Sequence, residues 1–426
     1  MAAKLVRRTL VLAKLESTYG VDSIPTAALD AILVSAPDVS VDGQKLERDF
    51  VRATISPLAH RIGRKVVKVS FTTELKSNGS TMNGDTNFAL EIDPLFQACG
   101  FMPTYTAETT PGEQQDVTFT PTNVEVGDSF TATINAQDFT YVATAATVAN
   151  VCAGLTALIN AGQDAVTAVN NTTEVEVTAD VHGVAFTYSS STIDGGGTSS
   201  DDQTLDIVVL QANVVGSNDG NVVYQPVSTD FESATVYINY DGLLHKITGC
   251  VGTFSLKAEA GQYGSIAWEL SGLYTDVEDE AITDGTYDIT QPPIVESLGF
   301  TIGDFTDNCV QAFEYMSANE IAEQQCVNAI SGLKALRITR RGSTGSINPE
   351  ATSVADEDFW ADWKNSTPKE LSCTIGSVVG NIIEILIPKA VYDSIAYGDR
   401  EGIRTFEIPF VATTTTGDDE ITLTFR

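Results

Sequence analysis

Gly242–Thr275, GLLHKITGCVGTFSLKAEAGQYGSIAWELSGLYT, occurs twice in this chain in altered spelling. Displaced by 138 positions without a gap, it falls on Gly380–Thr413, GNIIEILIPKAVYDSIAYGDREGIRTFEIPFVAT. Gly242 meets Gly380, Gly264 meets Gly402, and apolar positions meet apolar positions: Leu244 on Ile382, Ile247 on Ile385, Phe254 on Tyr392, Trp268 on Phe406, Leu270 on Ile408. Two such segments imply two copies of one structural unit. In Ser265–Leu273 and Ile403–Val411, apolar and polar residues alternate and β-branched and aromatic types are enriched, the pattern of a strand with one buried face. The runs before them, Leu244–Leu256 and Ile382–Ile395, share this character, so each copy carries a hairpin turning at Gly261–Gly264 or Gly398–Gly402. Upstream of each lies a short stretch with helical spacing, Pro94–Cys99 and Asp358–Trp363, the first with proline suited to an opening turn and the second with a capping aspartate.

Working outward, Val66–Leu75 alternates cleanly and reads as a strand. Before it, Val41–Lys68 concentrates Lys45, Arg48, Arg52, Arg61, Arg64, Lys65 and Lys68 among few strand signals. A segment this long is expected to be a functional loop or to order against a partner; the alternative is a solvated loop balancing nearby carboxylates. Lys334–Arg341, with Arg340 and Arg341, is the second copy's basic cluster. Cys309–Asn328 permits a helix over Ala318–Ile330, but the duplication favours strand plus loop. Met1–Gly20 lacks the apolar core and cleavage site of a signal peptide and reads as a first strand or a basic arm. The chain closes on an alternating strand, Glu420–Arg426.

Between Lys76 and Lys246 there is no Lys or Arg and there are 21 acidic residues, a break in composition that marks another module. Val117–Pro121 and Val222–Val227 read as two strands flanking an insertion at about residues 123–220. Inside it, Ser129–Ile134 and Phe139–Thr144 form a hairpin, Val148–Ile159 a helix stopping at Asn160–Gly162, and Val166–Val169, Glu174–Thr178, Val184–Tyr188 and Leu205–Leu210 further strands. The expected organisation is mainly β: a discontinuous first unit (1–122 and 221–285), a small inserted β-rich domain with one helix (123–220), and a second unit (286–426) after the acidic, Pro-ended linker Asp276–Pro293.

The 426 residues carry 24 Lys+Arg against 57 Asp+Glu, a net charge of −33, which argues against binding nucleic acid through phosphate neutralisation. The six cysteines show no C-x-x-C spacing and no nearby histidine, and read as buried thiols. His60, His182 and His245 are isolated, and no phosphate-binding or nucleophile motif is present. Gly195–Gly197 reads as a flexible linker and Asp201–Asp202 as solvated acid, so no catalytic, cofactor or metal site is expected. No apolar run reaches membrane-spanning length.

The residues Thr18-Tyr19-Gly20-Val21-Asp22, ERDFVR at Glu47–Arg52, Pro94–Phe101, FESATVYINYDGLLHKITGCVGTFSL at Phe231–Leu256, the TGSI within Arg341–Ile347 and GDDEITLTFR at Gly417–Arg426 resemble the tail tube proteins of long-tailed, siphovirus-like bacteriophages. The likeness covers about 1–120 and 221–426, with DGLLHKITG its most specific part. The insert resembles a small domain that recurs in phage structural proteins and departs from the plain tube pattern. The resemblance implies tandem β-sandwich or barrel units, stacked rings around a channel for the genome, and an inner wall closed by strand pairing between subunits. Two units per chain imply a trimeric, pseudo-hexameric ring. It also implies assembly in the bacterial host cytoplasm, contacts with a tape measure protein and with tail-tip or tail-terminator proteins, and DNA passing through an acidic lumen without specific binding. Lys45, Arg48, Arg52, Arg61, Arg64, Lys65, Lys68, Arg340 and Arg341 are the candidates for contact between rings. The competing reading is a virion surface protein whose 123–220 domain grips a host glycan or protein.

Overall fold

A computed structural model describes residues 4–79, 90–106, 113–163, 165–195, 202–214, 220–296, 299–306, 308–329 and 332–426. The chain opens with β1 (Thr9–Leu15), β2 (Ser35–Leu46), β3 (Arg61–Glu74), helix α1 (Asp93–Ala98) and β4 (Phe101–Thr106). Next come β5 (Asp116–Thr122), β6 (Ser129–Ile134), β7 (Gln137–Val142), α2 (Val148–Gly162), β8 (Val166–Asn170), β9 (Val175–Ala179), β10 (Tyr188–Ile193) and β11 (Thr204–Gln211). β12 (Asn221–Pro226), β13 (Ala234–Tyr240), β14 (Leu243–Glu259), β15 (Ser265–Tyr274) and β16 (Glu278–Asp279) follow. The last third holds β17 (Thr301–Ile302), β18 (Val310–Met316), β19 (Asn319–Gln325), β20 (Leu333–Arg341) and β21 (Thr344–Pro349), then α3 (Phe359–Asn365), β22 (Lys369–Ile375), β23 (Ile383–Tyr392), β24 (Ala396–Arg400), β25 (Ile403–Ala412) and β26 (Thr422–Phe425). The fold is mainly β, and the chain divides into two compact units: Ala107–Gly220 together with Asn83–Asp85, and Met1–Met82, Thr86–Thr106 and Asn221–Arg426.

In the larger unit the duplication extends to the strand pairing. The antiparallel order β1–β13–β14–β15–β3–β2 is repeated as β17–β22–β23–β25–β21–β18. Each copy buries the apolar face of its sheet under a short helix, and the helix presents one phenylalanine to the two aromatic positions found in the sequence repeat. Phe96 of α1 packs on Phe254 and Trp268, and Phe359 of α3 packs on Tyr392 and Phe406. Pro94 opens α1, and the Asp358 carboxylate accepts the Ala361 N–H at 2.9 Å to cap α3. The hairpins differ in register: Phe254 faces Trp268 across its hairpin, but Tyr392 faces Phe410. The strand corresponding to β14 breaks after Tyr392 and resumes as β24, so Gly398 lies within a strand and the turn is the pair Glu401–Gly402. The two copies share one continuous core, and the sheet does not close into a barrel within the chain.

The basic stretch 41–68 is not the loop its composition suggests. β2 and β3 pair from Ser35–Thr72 out to Leu46–Arg61, leaving 47–60 as the connection. The outer part of this hairpin buries neither face, so it shows no alternation by which a strand could be read. Cys309–Asn328 is not a helix, and where strand plus loop was expected it holds two strands, β18 and β19. Together with β20 and β21 these form the second copy's version of the β2–β3 hairpin, interrupted at Ser317–Ala318 and Gly342–Ser343. The N-terminal residues form a plain first strand, β1, behind which Arg8 pairs with Asp241 at 2.8 Å.

The smaller unit has its own core, in which Val151, Cys152, Leu155 and Ile159 of α2 pack on sheets ordered β10–β6–β7 and β11–β5–β9–β8. The β6–β7 turn is Asn135-Ala136, both at positive φ, as a two-residue hairpin requires. β5 pairs with β9 and β11, and its Val117 and Phe119 are buried there, so the Val117–Pro121 strand belongs to this unit. Val222–Val227 instead pairs with β4 and β26, and Thr106 stands opposite Asn221. The smaller unit is thus inserted at the tip of the β4–β12 hairpin. Val184–Thr187, read as the start of a strand, is irregular, and the strand begins at Tyr188. Gly196, Gly197 and Asp201 lie outside the described residues.

One buried charge cluster in the larger unit gives stability a pH dependence. Lys76 Nζ lies 3.8 Å from Glu91 and 3.7 Å from Asp288. Burial pushes the Glu91 carboxyl up from 4.5 to about 7, Lys76 pulling against the shift and Asp288 adding to it. The fold therefore holds this proton more tightly than the unfolded chain does. Its stabilising contribution is complete below pH 4.5 and is lost as pH rises through about 7, a change on the order of 3 kcal/mol at most. Glu91→Gln is expected to remove that decline, so the difference between wild-type and variant urea midpoints should shrink or reverse between pH 5 and pH 8. Parallel pH profiles for the two proteins would refute it.

Candidate functional site

The larger unit has a second sheet face, turned away from the helices. Directly opposed residues point to the same side, so the pairs Ser70–Glu269, Thr72–Ala267, Glu74–Ser265, Lys257–Ser265, Lys257–Glu314, Glu314–Ser346 and Ser346–Pro409 trace one continuous surface across both copies. Apart from the charges, it is made of short side chains, mostly serine, threonine and alanine. Its charged residues include the carboxylates Asp38, Glu74, Glu259, Glu269, Glu314, Glu350 and Glu407 and the cations Lys68, Lys257 and Arg400; Lys257 is held by Glu259 at 3.2 Å and Glu314 at 3.5 Å, and Arg400 lies 3.6 Å from Glu350. Where the copies meet, the face is hollowed into a groove of about 480 Å3 between Ser255, Ala267, Glu314, Met316, Ser346 and Val411. The arrangement is acidic, hydroxyl-rich and poor in groups that could hold a phosphate.

The second feature is the edges. Copy one joins copy two because the end of β14 pairs with β18, Ser255 opposite Met316 through Glu259 opposite Ala312. The corresponding edges at the outer ends of the sheet have no such neighbour: among the described residues, β2 pairs only with β3, and β24 only with β25. An unpaired strand edge is a row of backbone donors and acceptors ready for another strand.

The basic residues singled out from the sequence do not form one cluster. Lys45, Arg48, Arg52 and Arg61 lie at the outer end of the β2–β3 hairpin, where Lys45 pairs with Glu47 at 2.8 Å and Arg52 donates to the Ser56 and Pro57 carbonyls. Arg64 crosses to Glu323 on β19 at 2.7 Å, and Lys65 lies 4.3 Å from the centre of the Tyr274 ring. Lys68 sits on the acidic face. Arg340 pairs with exposed Glu320 at 2.7 Å. Arg341 is engaged internally: only 11% of its side chain is exposed, and it donates to Glu420 at 2.6 Å, Asp418 at 2.8 Å and the Val227 carbonyl. The open edge at β24 and the acidic face were missed at the level of sequence; the signal for β24 was the hairpin repeat itself.

Four of the cysteines are buried as expected, but Cys309 is exposed and Cys326 half-exposed. Among the described residues no group of three metal-binding side chains comes together, and no helix is long and apolar enough to cross a membrane.

A duplicated β unit whose strands β2 and β24 each have one unpaired edge among the described residues is suited to pairing with further copies of itself. The chain belongs to the phage tail tube protein family, whose pattern it matches over residues 7–426. It is accordingly a structural component of the virion tail that assembles with copies of itself into a tube. No curated protein matches it.

Proposed function

We propose that three chains close into a ring of six tube units, that the rings stack, and that the acidic face lines the lumen through which the genome travels to the host. The observation that carries this reading is the pair of open edges, β2 and β24, at positions equivalent to the strands that already join copy one to copy two. Head-to-tail contacts of this kind generate rings when the rotation closes. Closure removes both edges at once. A wall with a carboxylate excess repels DNA, which carries one charge per roughly 1.7 Å of its axis, so the duplex slides without sticking. A tape measure protein would occupy the same lumen during assembly in the host cytoplasm, with tail-tip and tail-terminator proteins at the two ends. Lys45, Arg48, Arg52 and Arg61 then meet the acidic surface of the adjacent ring, with Arg340 as a second contact, a reading supported by their exposure. Arg64, Lys65, Lys68 and Arg341 have partners or positions within the chain that fit this contact less well. The inserted unit is a decoration on the outside of the tube.

Electron microscopy of negatively stained protein tests this, with the full chain and a variant in which a two-residue turn joins Thr106 to Asn221 in place of 107–220. The join is geometrically open because these two residues already face each other. Hollow tubes of constant diameter are expected from both, with outer knobs on the full chain alone. Compact monodisperse particles from both, alone and when co-expressed with tail-tip proteins, would overturn the proposal in favour of a discrete host-binding protein.

A further inference from the structure

We propose that the junction between the two copies inside one chain is the template for the junction between chains, with the outer edge of β2 of one chain pairing with β24 of its neighbour and the β2–β3 arm clasping the neighbour's second copy. This rests on the ring reading above and assigns its interface.

The register follows from the repeat. β25 stands to β24 as β15 stands to β14: Gly398 opposite Thr405 takes the place of Ser255 opposite Ala267. On the other side, Val69 opposite Leu270 corresponds to Ile347 opposite Ile408, so Val39, opposite Val69, takes the place of Phe313, opposite Ile347. Within the chain, Leu256 faces Tyr315. Carried across to two chains, Asp399 of one faces Val41 of the next.

The arms support the same assignment. In the second copy, the outer hairpin β19–β20 folds back onto copy one, where Leu333, Leu336 and Ile338 are buried against Val66 and Val251. Asn319 seals the contact by donating to the Cys99 carbonyl at 2.7 Å and the Gly252 carbonyl at 2.9 Å. Among the described residues, the equivalent outer part of the β2–β3 hairpin is left unburied, with Arg64 reaching Glu323 of β19. It exposes Leu46 and Ile62, each about half accessible, and its tip exposes Phe50, Val51 and Ile55. An arm carrying that much apolar surface is built to be covered. The matching surface lies in the second copy, where Val411 takes the place of Leu273, which packs against that contact, and is exposed.

The test is a disulfide. Val41→Cys and Asp399→Cys are introduced together into a Cys309→Ser, Cys326→Ser background, since the remaining four thiols are buried. Both new positions are exposed, so the fold tolerates them. Assembled tubes are oxidised and run on denaturing gels without reductant. The expected result is a ladder that ends at three chains, collapses to one on reduction, and is absent from either single-cysteine variant. Tubes that form normally but yield no cross-link would overturn this edge assignment and leave the ring proposal standing. A ladder running past three would overturn closure by three chains. Absence of both tubes and rings would count against the ring reading itself.

Discussion

Phe96→Ala is expected to destabilise the protein by about 3–5 kcal/mol, among the largest effects of any single substitution in the chain. Phe96 is fully buried and is the hub of copy one: its ring centre lies 4.6 Å from Tyr224, 5.0 Å from Trp268, 5.3 Å from Phe254 and 6.1 Å from Phe425. Tyr224 and Phe425 come from β12 and β26, so this one side chain ties the helix, which precedes the insertion, to the strand that follows it and to the C-terminal strand. Alanine would leave a cavity walled by rigid aromatic rings on a sheet, which cannot collapse to fill it. Phe359 occupies the same place in copy two with longer contacts, 5.5 Å to Phe406, 6.1 Å to Tyr392 and 6.3 Å to Phe305. Phe359→Ala should therefore fall at the lower end of the same range. Urea denaturation followed by tryptophan fluorescence measures both, with the half-exposed Trp363→Ala as a control expected below about 1 kcal/mol. A Phe96→Ala cost no larger than that of the control would mean that the helices are not what fastens the sheet.

How much of this could be read from sequence depends on whether a residue's environment lies within the chain. The hairpins of Gly242–Thr275 and Gly380–Thr413 were legible because one face of each is buried, which imposes alternation, and because the same aromatic pair recurs beneath each helix. The insertion was legible as a change of charge, but its start was not. β5 alternates like a strand of either unit, and only its pairing with β9 and β11 shows where it belongs. The tight turn at Glu401–Gly402 was misplaced because Gly398 resembles turn punctuation, whereas the register slip that put it in a strand is a property of the folded hairpin.

The proposed assembly surface was less legible for a related reason. Side chains such as Leu46, Ile62 and Ile55 alternate with nothing, since among the described residues no surface buries them. Charge alone drew attention to the arm, and charge alone could not separate Arg341, clamped between Asp418 and Glu420, from Arg48 at the hairpin tip. The acidic face has no motif at all. It is distributed over strands far apart in sequence, and it becomes one surface only through the cross-strand register.

Glu16→Ala is expected to cost about 3–5 kcal/mol, and to do so next to the residue that ties copy one to the second copy. The carboxylate is buried and accepts four donors: the Gly20 N–H at 2.6 Å and Ser233 Oγ at 2.7 Å on one oxygen, the Gly249 N–H at 2.7 Å and Thr235 Oγ1 at 2.9 Å on the other. Alanine orphans two backbone N–H groups, that of Gly249 buried and that of Gly20 partly so. Glutamine keeps the shape, but whichever end its amide nitrogen occupies, it meets a backbone N–H that cannot turn away; the hydroxyls can rotate. Glu16→Gln should then cost somewhat less, about 2–3 kcal/mol. The consequence reaches the second copy through Tyr19, three residues along, whose hydroxyl donates to the Gly249 carbonyl at 3.1 Å and accepts the Leu336 N–H at 2.7 Å. Burial pushes that hydroxyl's pKa up to about 12, so it stays protonated and the bridge persists throughout the neutral range. Hydrogen exchange separates a local from a general loss: in Glu16→Gln the Leu336 amide should exchange faster by a larger factor than amides in the β22–β23 pair. Equal acceleration at both would show that Glu16 holds the fold as a whole and has no particular part in docking the β19–β20 hairpin.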